Sequence, residues 1–142
     1  MDESTSDAAA KPLPRILCVD DEPMVLKSLA ASLKRHFEVI TSSGPLAALE
    51  LLEQDPDVCA IVSDYRMPGM DGGALLRCVR DRFPTVARIL LSGAGAENDG
   101  VINEAGTVFR FLAKPCRREN LIATLEEALV VRAELAAAAE RS

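Results

Sequence analysis

The sequence predicts an α/β fold, a doubly wound (βα)5 sandwich with helices on both faces of a parallel sheet. Two observations carry that prediction. Five short apolar runs alternate along the chain with five stretches of helical spacing, the order that builds a parallel sheet through helical crossovers. The runs are continuous in Val, Ile and Leu, without interleaved polar residues, as strands buried on both faces require.

In chain order, residues 1–14 (MDESTSDAAAKPLP) are polar, Ala-rich and broken by Pro12 and Pro14, and predict a flexible tail. The run ILCV at 16–19 is strand β1 and ends in acids. Helix α1 follows over 23–34, with Val25, Leu29 and Leu33 at helical spacing. Strand β2 covers 37–41, and helix α2 covers 45–53 with Leu46, Leu49 and Leu52 on one face. Strand β3 is the run at 58–62, closed by Asp64. Pro68, Gly69 and Gly72 make 66–72 (RMPGMDG) a loop. Helix α3 spans 73–82 and strand β4 spans 86–91. A Gly-rich stretch at 93–100 leads into a weakly signalled helix α4 near 100–105, and strand β5 spans 108–113.

The last helix, α5, is predicted over 118–140, ~35 Å if fully helical. Leu121, Leu125, Ala128, Arg132, Leu135 and Ala139 follow 4-3-4-3-4 spacing, an a/d-like seam with one charge in it. It has two readings. Either the first half packs on the sheet and 132–142 is a solvated extension or linker stub, or it is a dimer-forming or signalling helix that leads to an output module. The folded domain is thus expected over 15–131.

The 142 residues carry 16 Lys and Arg against 22 Asp and Glu, a formal charge of −6. That balance argues against direct nucleic-acid binding or an anionic membrane surface, because both need a positive footprint. No apolar stretch approaches the ~20 residues of a membrane span. The N-terminus lacks the basic start and apolar run of a signal peptide. A cytoplasmic location is therefore expected. Cys18, Cys59, Cys78 and Cys116 are widely spaced with no C-x-x-C, and His36 is the one histidine, so no zinc site is expected.

Ligands of such sheets bind beyond the carboxyl ends of the strands. There this chain puts Asp20-Asp21 after β1, Asp64 after β3, Ser92 after β4 and Lys114-Pro115 after β5. Each alone has a bland reading: the acids as helix caps, Asp64 as a turn residue, Ser92-Gly93 as an ordinary strand exit. Together they make a chemical set. Clustered carboxylates repel unless a cation is present, and all-oxygen ligands suit Mg²⁺. A carboxylate can also attack phosphorus, while an ammonium and a hydroxyl stabilise phosphoryl oxygens.

VDDE at 19–22, DYRMPGMDG at 64–72, LLSG at 90–93 and FRFLAKP at 109–115 give the chain its resemblance to the bacterial response-regulator receiver domain, over about residues 15–130. The resemblance implies a flavodoxin-like sheet of strand order 2-1-3-4-5 and a cis Lys114-Pro115 bond. It implies that Asp64 accepts the phosphoryl group and that Mg²⁺ (or Mn²⁺) is bound by Asp21, Asp64 and the Arg66 carbonyl, with Asp20 acting through a metal-bound water. Ser92 and Lys114 would contact the phosphoryl group, and Phe111 would act with Ser92 as the switch. The implied partners are a sensor histidine kinase or phosphotransfer protein and, at the α4-β5-α5 face, an output domain, partner protein or second copy. Residues 93–106, rich in glycine, would carry the change.

Phe111 stands where Tyr is commoner, and Ser92 where Thr is frequent. Arg66 and Gly93 would flank the phosphate entrance, which the glycine leaves open. Residues 102–115 also look similar to receivers coupled to cyclic-di-GMP phosphodiesterase modules. Two other functions share parts of this residue set. A haloacid-dehalogenase-like aspartyl-phosphate phosphatase uses a similar set, but with a D-x-D motif at strand one where this chain has adjacent Asp20-Asp21. A phosphorylation-independent docking scaffold would use the fold alone.

Overall fold

Five strands form one parallel sheet in the order β2-β1-β3-β4-β5 in a computed structural model that describes residues 12–93 and 108–141. The strands are β1 Arg15–Val19, β2 Glu38–Ser42, β3 Val58–Asp64, β4 Ala87–Ser92 and β5 Arg110–Ala113. Helices α1 Pro23–Leu33, α2 Pro45–Gln54, α3 Gly72–Arg82 and α5 Arg118–Arg141 connect or follow them. The expected α4 and nearly all of the Gly-rich segment before it lie outside the described residues, as do 1–11 of the expected tail.

Successive residues of each strand serve opposite layers, as the pleat requires. Leu17, Val19, Ile61 and Leu90 pack with Leu49, Leu52, Leu75 and Val79 of α2 and α3. Ile16, Cys18, Val62 and Ile89 pack on the other face with Leu26 and Leu33 of α1 and Leu121 and Leu125 of α5. This two-sided burial accounts for the unbroken apolar runs.

Strand starts differ from the sequence expectation where local bonds compete with the ladder. Phe37 is buried but not in β2, because its amide donates back to the Leu33 carbonyl (3.0 Å) and closes the end of α1. Val86 likewise donates to the Phe83 carbonyl (3.0 Å) in the turn before β4. Sheet pairing of β5 begins at Arg110, opposite Ile89, two residues later than expected. At the other end, Asp64 and Ser92 are themselves the last residues of β3 and β4, so ladder pairing holds their backbones.

Helix starts bear on the bland reading of the acids. Pro23 opens α1, and its N-cap, Glu22, makes no side-chain cap bond. The acid that does cap a helix is Asp71, whose side chain accepts from Ala74 N–H (2.9 Å) at the start of α3. In α5, Leu121, Leu125 and Ala128 are buried in the chain's own core, and Arg132 Nε donates to the Thr85 carbonyl (2.6 Å). The seam is therefore turned onto the sheet through Arg132; Leu135 and Ala139 lie outside the described side chains. All four cysteines are free, and burial pushes the Cys18 thiol up to about 12. No described helix is long and apolar enough to cross a membrane.

Candidate functional site

Parallel register assembles the site. Val19 pairs with Ser63, so Asp20 leaves β1 beside Asp64 at the end of β3. Ser92 pairs with Ala113, so Lys114 leaves β5 at the same edge. There the Lys114 amide donates to the Ser92 carbonyl (2.7 Å), and the chain turns at a cis Lys114-Pro115 bond.

Asp20, Asp21 and Asp64 each offer a carboxylate oxygen within 4.8 Å of the other two. Lys114 Nζ lies 2.6 Å from Asp64 Oδ1 and 3.9 Å from Asp20 Oδ2. The three acids differ in exposure: Asp20 is buried, Asp64 half-buried and Asp21 exposed. Burial is the main force raising the Asp20 carboxyl above the usual range, and the charges of Asp64 and Asp21 add to it. The Glu22 amide, which donates to Asp20 Oδ1 (2.9 Å), and Lys114 pull the other way.

Beside this cluster is a cavity of about 370 Å³ lined by Asp21, Glu22, Asp64, Tyr65, Arg66, Gly93 and Lys114. The geometry thus brings together four of the residues singled out from the sequence and sets Arg66 and Gly93 at the same opening. It does not bring in all of them. Ser92 is buried at its strand end, with Oγ donating to the Gly93 carbonyl (3.0 Å). Phe111 is half-buried opposite Leu90 and packs with the α2 and α3 layer. Any contact of Ser92 Oγ with a group on Asp64 therefore requires that bond to open.

Three hard oxygen donors of charge −3 against one ammonium fit a hard divalent cation such as Mg²⁺, which takes one or two carboxylates and keeps waters for other oxygens. Asp64 is thus a carboxylate with an ammonium on one oxygen, facing a cavity large enough for a phosphoryl group.

Two residues at the site carried no role in the sequence reading. Ser63, fully buried, donates from Oγ to the Asp64 carbonyl (2.8 Å). Its signal was the single hydroxyl in the run VCAIVSD. Gly72 packs against the backbone of Asp64 and Tyr65; the sequence marks it as a loop glycine and does not display this contact.

Residues 16–126 match the family described as response regulator receiver domain. The chain is 37% identical over 116 residues to the hydrogenase transcriptional regulatory protein HoxA of Cupriavidus necator, covering 80% of this chain and 24% of that protein. It spans about a quarter of the length of the curated relatives it matches first. Among solved structures, adenylate cyclase from Rhodopirellula baltica superposes with a TM-score of 0.84 at 31% identity, covering 90% of this chain and 96% of that one. The signal receiver domain of an HD domain-containing protein from Pseudomonas fluorescens Pf-5 gives 0.80 at 28% identity, covering 86% and 98%.

Proposed function

Because the chain belongs to the response regulator receiver domain family of two-component signalling, we propose that it takes a phosphoryl group onto Asp64 from a sensor histidine kinase or phosphotransfer protein and reports it to a partner or output domain. The observation that supports this best is the Asp64 carboxylate at a strand end, 2.6 Å from Lys114 Nζ and clustered with Asp20 and Asp21. In the transfer, an Asp64 oxygen forms a bond to phosphorus as the P–N bond of the donor phosphohistidine breaks. The electron pair leaves with the imidazole, which takes up a proton.

The chain's own groups serve that step in distinct ways. Lys114, already an ion-pair partner of Asp64, moves its charge to a phosphoryl oxygen. Ser92 exchanges the Gly93 carbonyl for a second phosphoryl oxygen. Asp21, Asp64 and the Arg66 carbonyl would hold Mg²⁺ or Mn²⁺, with Asp20 acting through a water, and the ion would supply positive charge against the phosphoryl oxygens. Gly93, with open space where a Cβ would stand, leaves the entrance clear to the donor.

The movement of Ser92 is the start of the switch. Phe111 follows it inward, and the face formed by the α4 segment, β5 and α5 changes its affinity for a partner. Free cysteines suit the reducing cytosol in which such a kinase acts.

Intact-mass measurement after incubation with acetyl phosphate tests the acceptor. The expected result is a gain of one phosphoryl group that needs Mg²⁺ and disappears in Asp64→Asn. A gain that persists in Asp64→Asn contradicts the assignment. No gain from either acetyl phosphate or a kinase favours the docking-scaffold reading.

A further inference from the structure

We propose that Ser63 and Gly72 are positioning residues that aim the Asp64 carboxylate and the Arg66 carbonyl at the acidic cluster. The inference rests on the reading of Asp64 as the phospho-acceptor. Neither residue is among the groups that cluster there. Their effect is on the two peptide units that join Asp64, Tyr65 and Arg66.

The polar groups of those units are pinned one after another. The Asp64 carbonyl accepts from Ser63 Oγ at 2.8 Å. The Tyr65 amide donates to the Leu91 carbonyl at 3.1 Å, which ties it to β4. The Tyr65 carbonyl accepts from the Gly72 amide at 2.7 Å, which closes the loop onto the start of α3. These bonds hold the backbone on both sides of Tyr65, so the chain leaves Asp64 and enters Arg66 along a fixed path.

The Gly72 bond needs a glycine. A Cβ at Gly72 would stand 2.2 Å from the Asp64 carbonyl oxygen and 2.9 Å from the Tyr65 Cα. Both are backbone atoms, so no side chain can swing away to make room. A methyl group there must push the Asp64 carbonyl off its position, break the Gly72–Tyr65 bond, or both. The carbonyl it would strike is the same one that Ser63 holds from the other direction in sequence. Ser63 is fully buried in a strand that is otherwise apolar between Val58 and Val62. A hydroxyl there costs burial unless bonded, and its bond goes to the residue that carries the reactive carboxylate.

Titration of Mg²⁺ against intrinsic fluorescence reads the effect directly, because Tyr65 is the one tyrosine and the chain has no tryptophan. Phosphorylation by acetyl phosphate at saturating Mg²⁺ is measured beside it, with circular dichroism confirming that each variant is folded. Ser63→Ala is expected to weaken Mg²⁺ binding about two- to tenfold, the worth of one net hydrogen bond. It is also expected to slow phosphorylation at saturating Mg²⁺, which a merely structural serine would leave unchanged while lowering Tm. Folded Ser63→Ala with wild-type Mg²⁺ affinity and rate overturns the proposal. Gly72→Ala is expected to lose more than Ser63→Ala on both readouts. A folded Gly72→Ala with the wild-type rate also overturns the proposal, and if that variant does not fold, Ser63→Ala decides. A wild-type protein that neither binds Mg²⁺ nor takes up phosphoryl fails differently, because then the acceptor reading itself falls.

Discussion

Asp20 bears an electrostatic cost in the metal-free protein. It is buried beside Asp64 and Asp21, and its carboxyl is raised above the ordinary 3.8. Below that pH the carboxyl is protonated in both folded and unfolded chains, and the cost is absent. As pH rises the unfolded chain loses its proton first, so stability falls through the interval up to the raised value. The full penalty is present only above the raised value. Asp20→Asn removes the charge while leaving an oxygen to accept from the Glu22 amide. It is expected to raise Tm in metal-free buffer at neutral pH, roughly 4 °C for each 1 kcal/mol gained, and to weaken Mg²⁺ binding. Thermal melts with and without Mg²⁺ check both signs; a lower Tm in metal-free buffer contradicts the account. At this scale the acids and Lys114 were legible because each follows an apolar run. Ser63 and Gly72 were not, because their partners are backbone atoms that a residue pattern does not display.

Strand ends were the most legible part of the elements, and strand starts the least. Apolar runs announce the ladder, but whether Phe37 or Val86 joins it depends on turn bonds to Leu33 and Phe83. In α5, the 4-3-4 spacing favoured a core stripe in the first half of the helix and left a seam for a second copy as the alternative. The structure uses it on the sheet, and Arg132, the apparent flaw in the seam, is what reaches Thr85. The outer side of this region carries an exposed Arg110–Glu127 pair (2.9 Å) and Val130. The pair β4–β5 carries the proposed switch, since Ser92 and Phe111 sit on neighbouring strands. Beryllofluoride, a phosphoryl mimic, is expected to change amide hydrogen exchange at Ser92 and across β5 while leaving α2 as it was. Equal exchange in β4 and β5 with and without it contradicts the switch.

For the whole molecule, sheet topology does the chemical work of assembly. Residues 44 positions apart in sequence, Asp20 and Asp64, become neighbours because β1 pairs with β3 in the order 2-1-3-4-5. Lys114 joins them from two strands away, at the edge where parallel strands present their carboxyl ends. The alternating runs made the parallel sheet and the edge that holds the site readable, while the order 2-1-3-4-5 came with the family resemblance. The distances, the orientation of Ser92 toward Gly93 and the packing of Phe111 were not readable, because they depend on side-chain geometry. Of the three clustered carboxylates, Asp64 is the proposed nucleophile. Borohydride reduces an acyl phosphate to the corresponding alcohol, so peptide mapping after phosphorylation and reduction marks the residue that carried the phosphoryl group. Homoserine is expected at position 64 and nowhere else; homoserine at position 20 or 21 overturns Asp64 as the acceptor.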